Sequence, residues 1–169
     1  MANPILDTWN TMASWFQQPS TSQPNVTMNT QLPTAGKYDP EGVMHHLISK
    51  VIPGLVHPGG SIQINPNNTA DVQRILQHEK VHALLDGLNE DGTLDRLNAA
   101  NPYFKSMASK ILVEPGGDIS TEAPAYAATG EAKQFGIDPK ISTAYQTHLQ
   151  KQLTTIDPKL GAAYGQLSQ

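Results

Sequence analysis

The amino-acid sequence predicts an α+β fold that is mostly helical, with a small β-hairpin or sheet beside one central helix. Apolar residues recur at helical spacing through most of the chain after residue 69. One short segment, residues 61–65 (Ser-Ile-Gln-Ile-Asn), instead alternates polar and apolar residues, as a half-buried strand does. The chain has 169 residues, which is enough for one domain with a sizeable core.

Composition divides the chain into an N-terminal arm, residues 1–36, and a folded domain, residues 37–169. No charged residue occurs between Asp7 and Lys37. Residues 17–36 are rich in Gln, Pro, Ser, Thr and Asn, which is typical of an extended linker that buries little surface.

The arm begins with a short amphipathic segment that contains both tryptophans of the chain. Trp9, Trp15 and Phe16 belong to an approximate helical stripe, and such side chains are costly to leave in water. The segment is either a short helix packed on the domain or a docking segment. In the second case it would bind a partner, a membrane surface or the protein's own cleft.

Charge and composition exclude several classes of function. The net charge of −4 comes without any basic block, so we expect no nucleic-acid partner. The absence of cysteine excludes disulfides and thiolate metal sites. No apolar run approaches the roughly 20 residues of a transmembrane helix. The N-terminus lacks the pattern of a secretory signal, which favours synthesis in the cytoplasm and leaves the final compartment open.

Turn and cap signals locate the strand and the central helix. A Pro-Gly-Gly turn at residues 58–60 precedes the strand at 61–65 and predicts a short hairpin. Asn68 is the predicted N-cap of the next helix and Gly87 its predicted C-cap, so this helix should cover about residues 69–86.

Further helical segments follow the central helix. Leu94 and Leu97 mark the first of them, and the segment that starts at Ser120 is expected to continue through Glu131 to Gly136. The other predicted starts are Asn101-Pro102, Asp138-Pro139 and Asp157-Pro158.

The central helix contains the motif H-E-x-x-H, formed by His78, Glu79 and His82. Residues four apart lie on one face of a helix, so both imidazoles can point at the same spot. Two neutral histidines at this spacing suit a zinc ion, and Glu79 beside them can take a proton from water at the metal. Composition alone would produce the motif on the order of 0.01 times in a chain of this length.

The alternative is a surface helix that carries these residues by chance. Residues that flank the histidines argue against it, because Val72, Leu76 and Leu85 form an apolar surface at helical spacing. A polar triad inside an apolar helix costs free energy unless something binds it.

A catalytic zinc site needs a third protein ligand. The extended motif H-E-x-x-H-x-x-G-x-x-H is excluded, because Leu85 and Leu88 occupy the positions of its glycine and third histidine. Asp86, Asp91 and Asp95 follow the motif closely and are possible ligands, but a polar helix end and turn would contain such residues anyway.

Glu122 is the better candidate for the third ligand. It begins an otherwise small and apolar helix, which is a poor place for a solvated face. A favourable charge in the first turn of a helix is the alternative explanation. Glu114 and Glu131 are weaker candidates, because each lies among glycine, proline or polar residues.

His78-Glu79-x-x-His82, together with Glu122 in Thr121-Glu122-Ala-Pro-Ala-Tyr126, resembles the gluzincin type of zinc metallopeptidase. The resemblance covers well under half of the chain. It implies a zincin-like domain over residues 37–169 that hydrolyses peptide bonds. It also implies one zinc ion per chain held by His78, His82 and Glu122, Glu79 as general base, and an active-site strand before the motif helix, which residues 61–65 match.

The remaining roles are open at the level of sequence. The oxyanion formed during hydrolysis needs a donor besides zinc, and Tyr126 or His148 is the preferred candidate. If residues 61–65 form an edge strand beside the cleft, a peptide or protein substrate can add to it. A hydrolase of peptidoglycan peptides or another amide is equally compatible. The rival interpretation is a structural or assembly protein with a vestigial or structural metal site.

Overall fold

The computed structural model describes residues 25–39, 61–67, 71–113 and 117–168. These residues form an α+β structure that is mostly helical and has one small sheet, which confirms the predicted fold class at this level. The chain divides into two compact units between Glu79 and Lys80.

Three strands and six α-helices make up the described structure. The strands are β1 (Asn25–Met28), β2 (Gly36–Asp39) and β3 (Ser61–Ile64). The helices are α1 (Val72–Glu90), α2 (Thr93–Ala100), α3 (Phe104–Ala108), α4 (Ile119–Ala128), α5 (Pro139–Ile156) and α6 (Pro158–Leu167). A 3₁₀ helix, Glu131–Phe135, lies between α4 and α5. Among the described helices, none is long and apolar enough to cross a membrane.

The sheet has the order β1-β3-β2, with β3 parallel to β1 and antiparallel to β2. Ile62 and Ile64 of β3 are fully buried and pack with Leu76 of α1, as the alternation of residues 61–65 predicts. The prediction that β3 is an edge strand is wrong, because both of its edges are paired. The turn at residues 58–60 and the other strand of the predicted hairpin, which would precede it, lie outside the described residues.

The additional strand β1 comes from the segment that composition assigns to the linker. Val26 is partly buried against the core of Ile62, Ile64 and Leu76, and Asn29 N donates to Ile64 O at 2.9 Å just beyond the strand. Part of the uncharged segment is therefore held in the sheet. The amphipathic segment with Trp9, Trp15 and Phe16 lies outside the described residues.

Helix α1 continues past Gly87, so the predicted C-cap is wrong. A side chain at Gly87 would meet nothing within 4 Å, and no contact there forces the backbone out of the helix. The helix ends at Glu90, and Gly92 follows with φ 70°, a left-handed conformation that favours glycine. Gly92 N donates to Asn89 O at 3.1 Å and closes the last turn.

The start of α4 also differs from the prediction by two residues. Asp118, rather than Ser120, is the N-cap, because its side chain accepts a hydrogen bond from Ser120 N at 2.9 Å. The helix stops at Ala128 instead of continuing to Gly136, since Gly130 adopts φ 69°. The predicted continuation through Glu131 is the separate 3₁₀ helix.

The last two helices begin where the sequence predicts. Asp138 and Asp157 each accept a hydrogen bond from the backbone N–H two residues later, both at 2.8 Å. Pro139 and Pro158 occupy the first helical positions, where the missing N–H costs nothing. Helices α5 and α6 pack against each other and against α4. Their fully buried side chains are Tyr145, Leu149, Leu153, Tyr164 and Leu167.

Candidate metal centre

Helix α1 carries the three residues of the H-E-x-x-H motif. His78 and Glu79 are buried, each 7% exposed, and the side chain of His82 is 13% exposed. The helix runs without interruption from Val72 to Glu90, so its own geometry places His78 and His82 one turn apart on the same face. Both imidazoles are thereby directed to one side of α1.

Helix α4 brings Glu122 to His82. Glu122 lies in the first turn of α4, after the Asp118 cap, and its side chain is 22% exposed. The neighbouring Ala123 and Ala125 are fully buried, so small side chains let the start of this helix pack closely on its surroundings. Glu122 Oε1 lies 3.6 Å from His82 Nε2.

One ligand atom from each of His78, His82 and Glu122 lies within 4.8 Å of the other two. In the described part of the chain, this is the one group of three or more histidine, aspartate or glutamate side chains that can hold a metal ion. Of the candidate third ligands from the sequence, the structure brings Glu122 to the histidines.

Two of the competing aspartates accept hydrogen bonds at the start of α2. Asp91 Oδ1 accepts from Thr93 N at 2.8 Å, and the hydrogen bonds from Thr93 lower the pKa of the Asp91 carboxyl group. Asp95 Oδ1 accepts from the Ser120 hydroxyl at 2.5 Å. Asp86 lies in α1 and does not belong to the ligand group.

The competing Glu131 is not part of the group either. Glu131 Oε2 accepts from the Thr129 hydroxyl at 2.7 Å, at the start of the 3₁₀ helix. Glu114 lies outside the described residues. Among the described residues, Glu131 therefore does not replace Glu122 as the candidate third ligand.

The donor set fits a zinc ion. Zinc takes imidazole nitrogen and carboxylate oxygen at about 2.0–2.2 Å, which separates neighbouring ligands in a tetrahedral site by about 3.3 Å. The 3.6 Å between His82 Nε2 and Glu122 Oε1 is close to this value, and all three ligand atoms lie within 4.8 Å of one another. Three protein ligands leave one coordination position for water or substrate, as in catalytic zinc sites.

Strand β2 lies directly against Glu79, which the sequence does not predict. A methyl group added at Gly36 would lie 2.7 Å from Glu79 Oε1 and 2.5 Å from Ile75 Cγ2. The absence of a side chain at Gly36 therefore leaves room for the carboxylate. On the next position of α1, burial lowers the pKa of the Lys80 amine to about 8.

The two predicted oxyanion donors lie on different helices. Tyr126 follows Glu122 by one turn on α4, so both belong to the same face of that helix. The Tyr126 ring meets Phe135 edge to face, with centroids 4.9 Å apart. His148 is half-buried on α5 and is not a member of the ligand group.

The proline inside α4 removes a main-chain hydrogen-bond donor, and a residue distant in sequence supplies a donor in its place. Pro124 has no N–H, so the carbonyl of Ser120, four residues earlier, lacks its helical donor. Asn98 of α2 supplies the donor, with Nδ2 3.0 Å from Ser120 O. The sequence shows the orphaned carbonyl, but nothing in the spacing of Asn98 identifies it as the partner.

Comparison of the chain with protein-family models, with curated proteins and with solved structures found no match.

Proposed function

We propose that the chain is a zinc-dependent metallopeptidase of the gluzincin type. The observation that carries this proposal is the group of three ligand atoms from His78, His82 and Glu122, within 4.8 Å of one another, with Glu79 next to His78 on the same helix. Glu79 is buried and is not itself in the ligand group, which is compatible with the role of a water-activating base.

His78, His82 and Glu122 would hold the metal ion. Zinc supplies Lewis acidity, which makes water more acidic and polarises a carbonyl group. Glu79 accepts the proton of the attacking water at its carboxylate and delivers it to the leaving amine. Its burial excludes competing solvent from this proton transfer.

The developing oxyanion needs a hydrogen-bond donor in addition to the metal. Tyr126 is the preferred donor, because it shares a face of α4 with Glu122. His148 remains the second candidate. A Tyr126→Phe variant should lower kcat with little change in KM, since the hydroxyl would act only in the transition state.

The substrate is a peptide or protein, and it must bind without the main-chain pairing to β3 that the sequence suggested. Both edges of β3 are already paired, so a peptide cannot add to this strand. The residues that align the substrate therefore lie elsewhere. Peptidoglycan peptides contain the same amide bond, so the hydrolysis assay described next includes them as a second substrate.

The first experiment distinguishes the proposed metal ligand Glu122 from the proposed general base Glu79. Purified protein is loaded with zinc, its metal content is measured by mass spectrometry, and an X-ray anomalous signal at the zinc edge locates the ion. Hydrolysis is assayed with an unfolded protein and with peptidoglycan peptides. Glu79→Gln should lower hydrolysis by about 10²–10⁴-fold while zinc stays near one per chain. Glu122→Ala should lose both zinc and activity, because it removes a ligand.

Glu131→Gln is the matched control. It removes a carboxylate that lies outside the ligand group and accepts a hydrogen bond from Thr129, so it should change neither zinc content nor hydrolysis. Full zinc content in Glu122→Ala would show that Glu122 is not a ligand. Full activity in Glu79→Gln would show that the hydrolase proposal is wrong. A wild-type chain without metal and without activity would support a structural or assembly role.

A further inference from the structure

The backbone around Glu122 is held from both sides by buried side chains. The carbonyl of Ser120, two residues before Glu122, accepts from Asn98 Nδ2 at 3.0 Å. The carbonyl of Pro124, two residues after it, accepts from the Tyr164 hydroxyl at 3.1 Å. Glu122 therefore lies between two peptide groups that are fixed by α2 and α6.

The hydrogen bond from Asn98 is required by the covalent structure of α4. In a regular helix the N–H of residue 124 would donate to Ser120 O, but proline has no N–H. The Ser120 carbonyl is inside the protein, where an unpaired polar group is costly. Asn98 thus replaces a main-chain hydrogen bond that Pro124 has removed.

The orientation of the Asn98 amide is fixed as well. Asn98 is 1% exposed, and its Oδ1 accepts from the Tyr145 hydroxyl at 2.8 Å. A hydroxyl donating to Oδ1 leaves Nδ2 as the group that faces Ser120 O. One turn earlier on α2, Asp95 accepts from the Ser120 hydroxyl, so Ser120 is bound through both its side chain and its carbonyl.

We infer that Asn98 is a positioning residue for the third metal ligand, and that it acts on Glu122 through the Ser120 carbonyl orphaned by Pro124. This inference rests on the proposed role of Glu122 as a zinc ligand. Groups that orient a metal ligand through hydrogen bonds commonly change metal affinity by about 10–100-fold when they are removed.

The dependence on Pro124 makes the inference specific. If residue 124 regains an N–H, the helix can supply the missing hydrogen bond itself, and Asn98 becomes dispensable. The loss of zinc affinity caused by Asn98→Leu should therefore be large with Pro124 present and small with Pro124→Ala. A purely structural contribution of Asn98 to core packing would cost the same in both backgrounds.

The experiment is a double-mutant cycle on the full chain. The zinc dissociation constant is measured by competition with a chromogenic chelator for the wild type, Asn98→Leu, Pro124→Ala and the double variant. The absorption spectrum of the cobalt-loaded protein reports the geometry of the ligands. We expect Asn98→Leu to weaken zinc binding by about 10–100-fold, and by less than about 3-fold when Pro124→Ala is present.

Asn101→Leu is the matched control. Asn101 is also a buried asparagine and donates to Tyr145 O at 3.1 Å, but it has no hydrogen bond to α4 among the described contacts. Its loss should lower thermal stability while zinc affinity and the cobalt spectrum stay unchanged. If Asn98→Leu does not fold, Tyr145→Phe replaces it, because this variant frees the Asn98 amide and should show the same dependence on Pro124.

An equal loss of zinc affinity in both backgrounds, or an equal loss in Asn101→Leu, would overturn the inference and leave the proposed function intact. Unchanged zinc affinity in Glu122→Ala would overturn the proposed ligand role of Glu122, and this inference with it. The two failures are therefore distinguished by the variant in which they appear.

Discussion

At Gly36, strand β2 lies next to the side chain of Glu79, the proposed general base. A Cβ at Gly36 would lie 2.7 Å from Glu79 Oε1 and 2.5 Å from Ile75 Cγ2, so a neighbouring group would have to shift to make room for it. A single methyl group there forces the Glu79 carboxylate, the strand or Ile75 to move. The position of the Glu79 carboxylate thus depends on the absence of a side chain at Gly36 of β2.

Gly36→Ala should therefore lower hydrolysis without removing zinc. The added methyl group would displace the Glu79 carboxylate, the proposed proton acceptor, while the three candidate ligands are unchanged. We also expect a loss of about 1–3 kcal/mol in the free energy of unfolding, which is typical of overpacking. Hydrolysis, zinc content and urea unfolding of the same preparation measure the three quantities.

Gly87→Ala is the control for this variant. A methyl group at Gly87 would meet nothing within 4 Å, and alanine in a helix interior is favoured over glycine by about 0.5–1 kcal/mol. This variant should be more stable and fully active. Gly36→Ala with unchanged hydrolysis would show that the Glu79 carboxylate is not confined by β2.

At this scale the sequence predicts the candidate ligands better than it predicts the residues that support them. The spacing of His78 and His82 is a property of one helix, and Glu122 stands out because its neighbours are small and apolar. Gly36 and Asn98 act across long separations in the chain, through contacts that only tertiary structure creates. No local pattern marks a glycine or an asparagine that does this.

The close packing of helices α5 and α6 also depends on glycine residues. A Cβ at Gly161 would fall on Thr154, whose backbone N and Cα both lie 2.7 Å from that point. A Cβ at Gly165 would instead meet the side chain of Gln150, which can move. The close approach of the two helices is therefore limited by backbone at Gly161 and by a flexible side chain at Gly165.

Gly161→Ala should destabilise the protein more than Gly165→Ala. Backbone cannot yield without separating the helices, so we expect a cost of about 1–3 kcal/mol or more at Gly161 and a smaller one at Gly165. The midpoints of thermal and urea unfolding test this order. An equal or reversed order would mean that the helices separate at little cost.

Among elements, those with strong local signals were predictable. Asp138-Pro139 and Asp157-Pro158 combine an N-cap with a proline at the first helical position, and both helices begin there. Strand β1 was missed, because its residues lie in a polar, uncharged stretch and gain their order by pairing with β3. The end of α1 was misplaced because a glycine is a stop signal only where the backbone adopts a positive φ, as Gly92 does.

For the whole molecule, two buried tyrosines set a limit on stability at alkaline pH. Burial raises the pKa of both Tyr145 and Tyr164, and for Tyr145 the nearby Tyr164 raises it further. Below the ordinary tyrosine pKa of about 10, folded and unfolded states are both protonated. Above it the unfolded chain loses these protons and the folded chain keeps them, so the free energy of unfolding falls as pH rises.

We expect the free energy of unfolding to fall above about pH 10, by up to about 1.4 kcal/mol per pH unit for each tyrosine. Urea unfolding measured from pH 8 to pH 11.5 gives this slope. Tyr164→Phe should reduce the slope, although it also loses the hydrogen bond to Pro124 O. Tyr103→Phe, at a tyrosine that is 39% exposed, serves as the control, and an equal effect there would contradict the assignment.

Zinc should also stabilise the whole molecule if the proposed site forms in the folded state alone. Binding of this kind adds about 2.7 kcal/mol at a free concentration of 100 times the dissociation constant. The thermal midpoint should rise with added zinc, fall with a chelator and become insensitive to both in Glu122→Ala. A midpoint that zinc shifts equally in that variant would place the stabilising ion elsewhere.

The proline in α4 has a consequence for how related sequences can diverge. A homologue that replaces Pro124 regains a main-chain N–H that can donate to the Ser120 carbonyl, and other residues can then be tolerated at position 98. A chain that keeps the proline must keep an amide at position 98, together with a hydroxyl at 145 to orient it. Residues 98, 124 and 145 should therefore covary among homologues. We expect homologues to lose Asn98 only after they have lost Pro124.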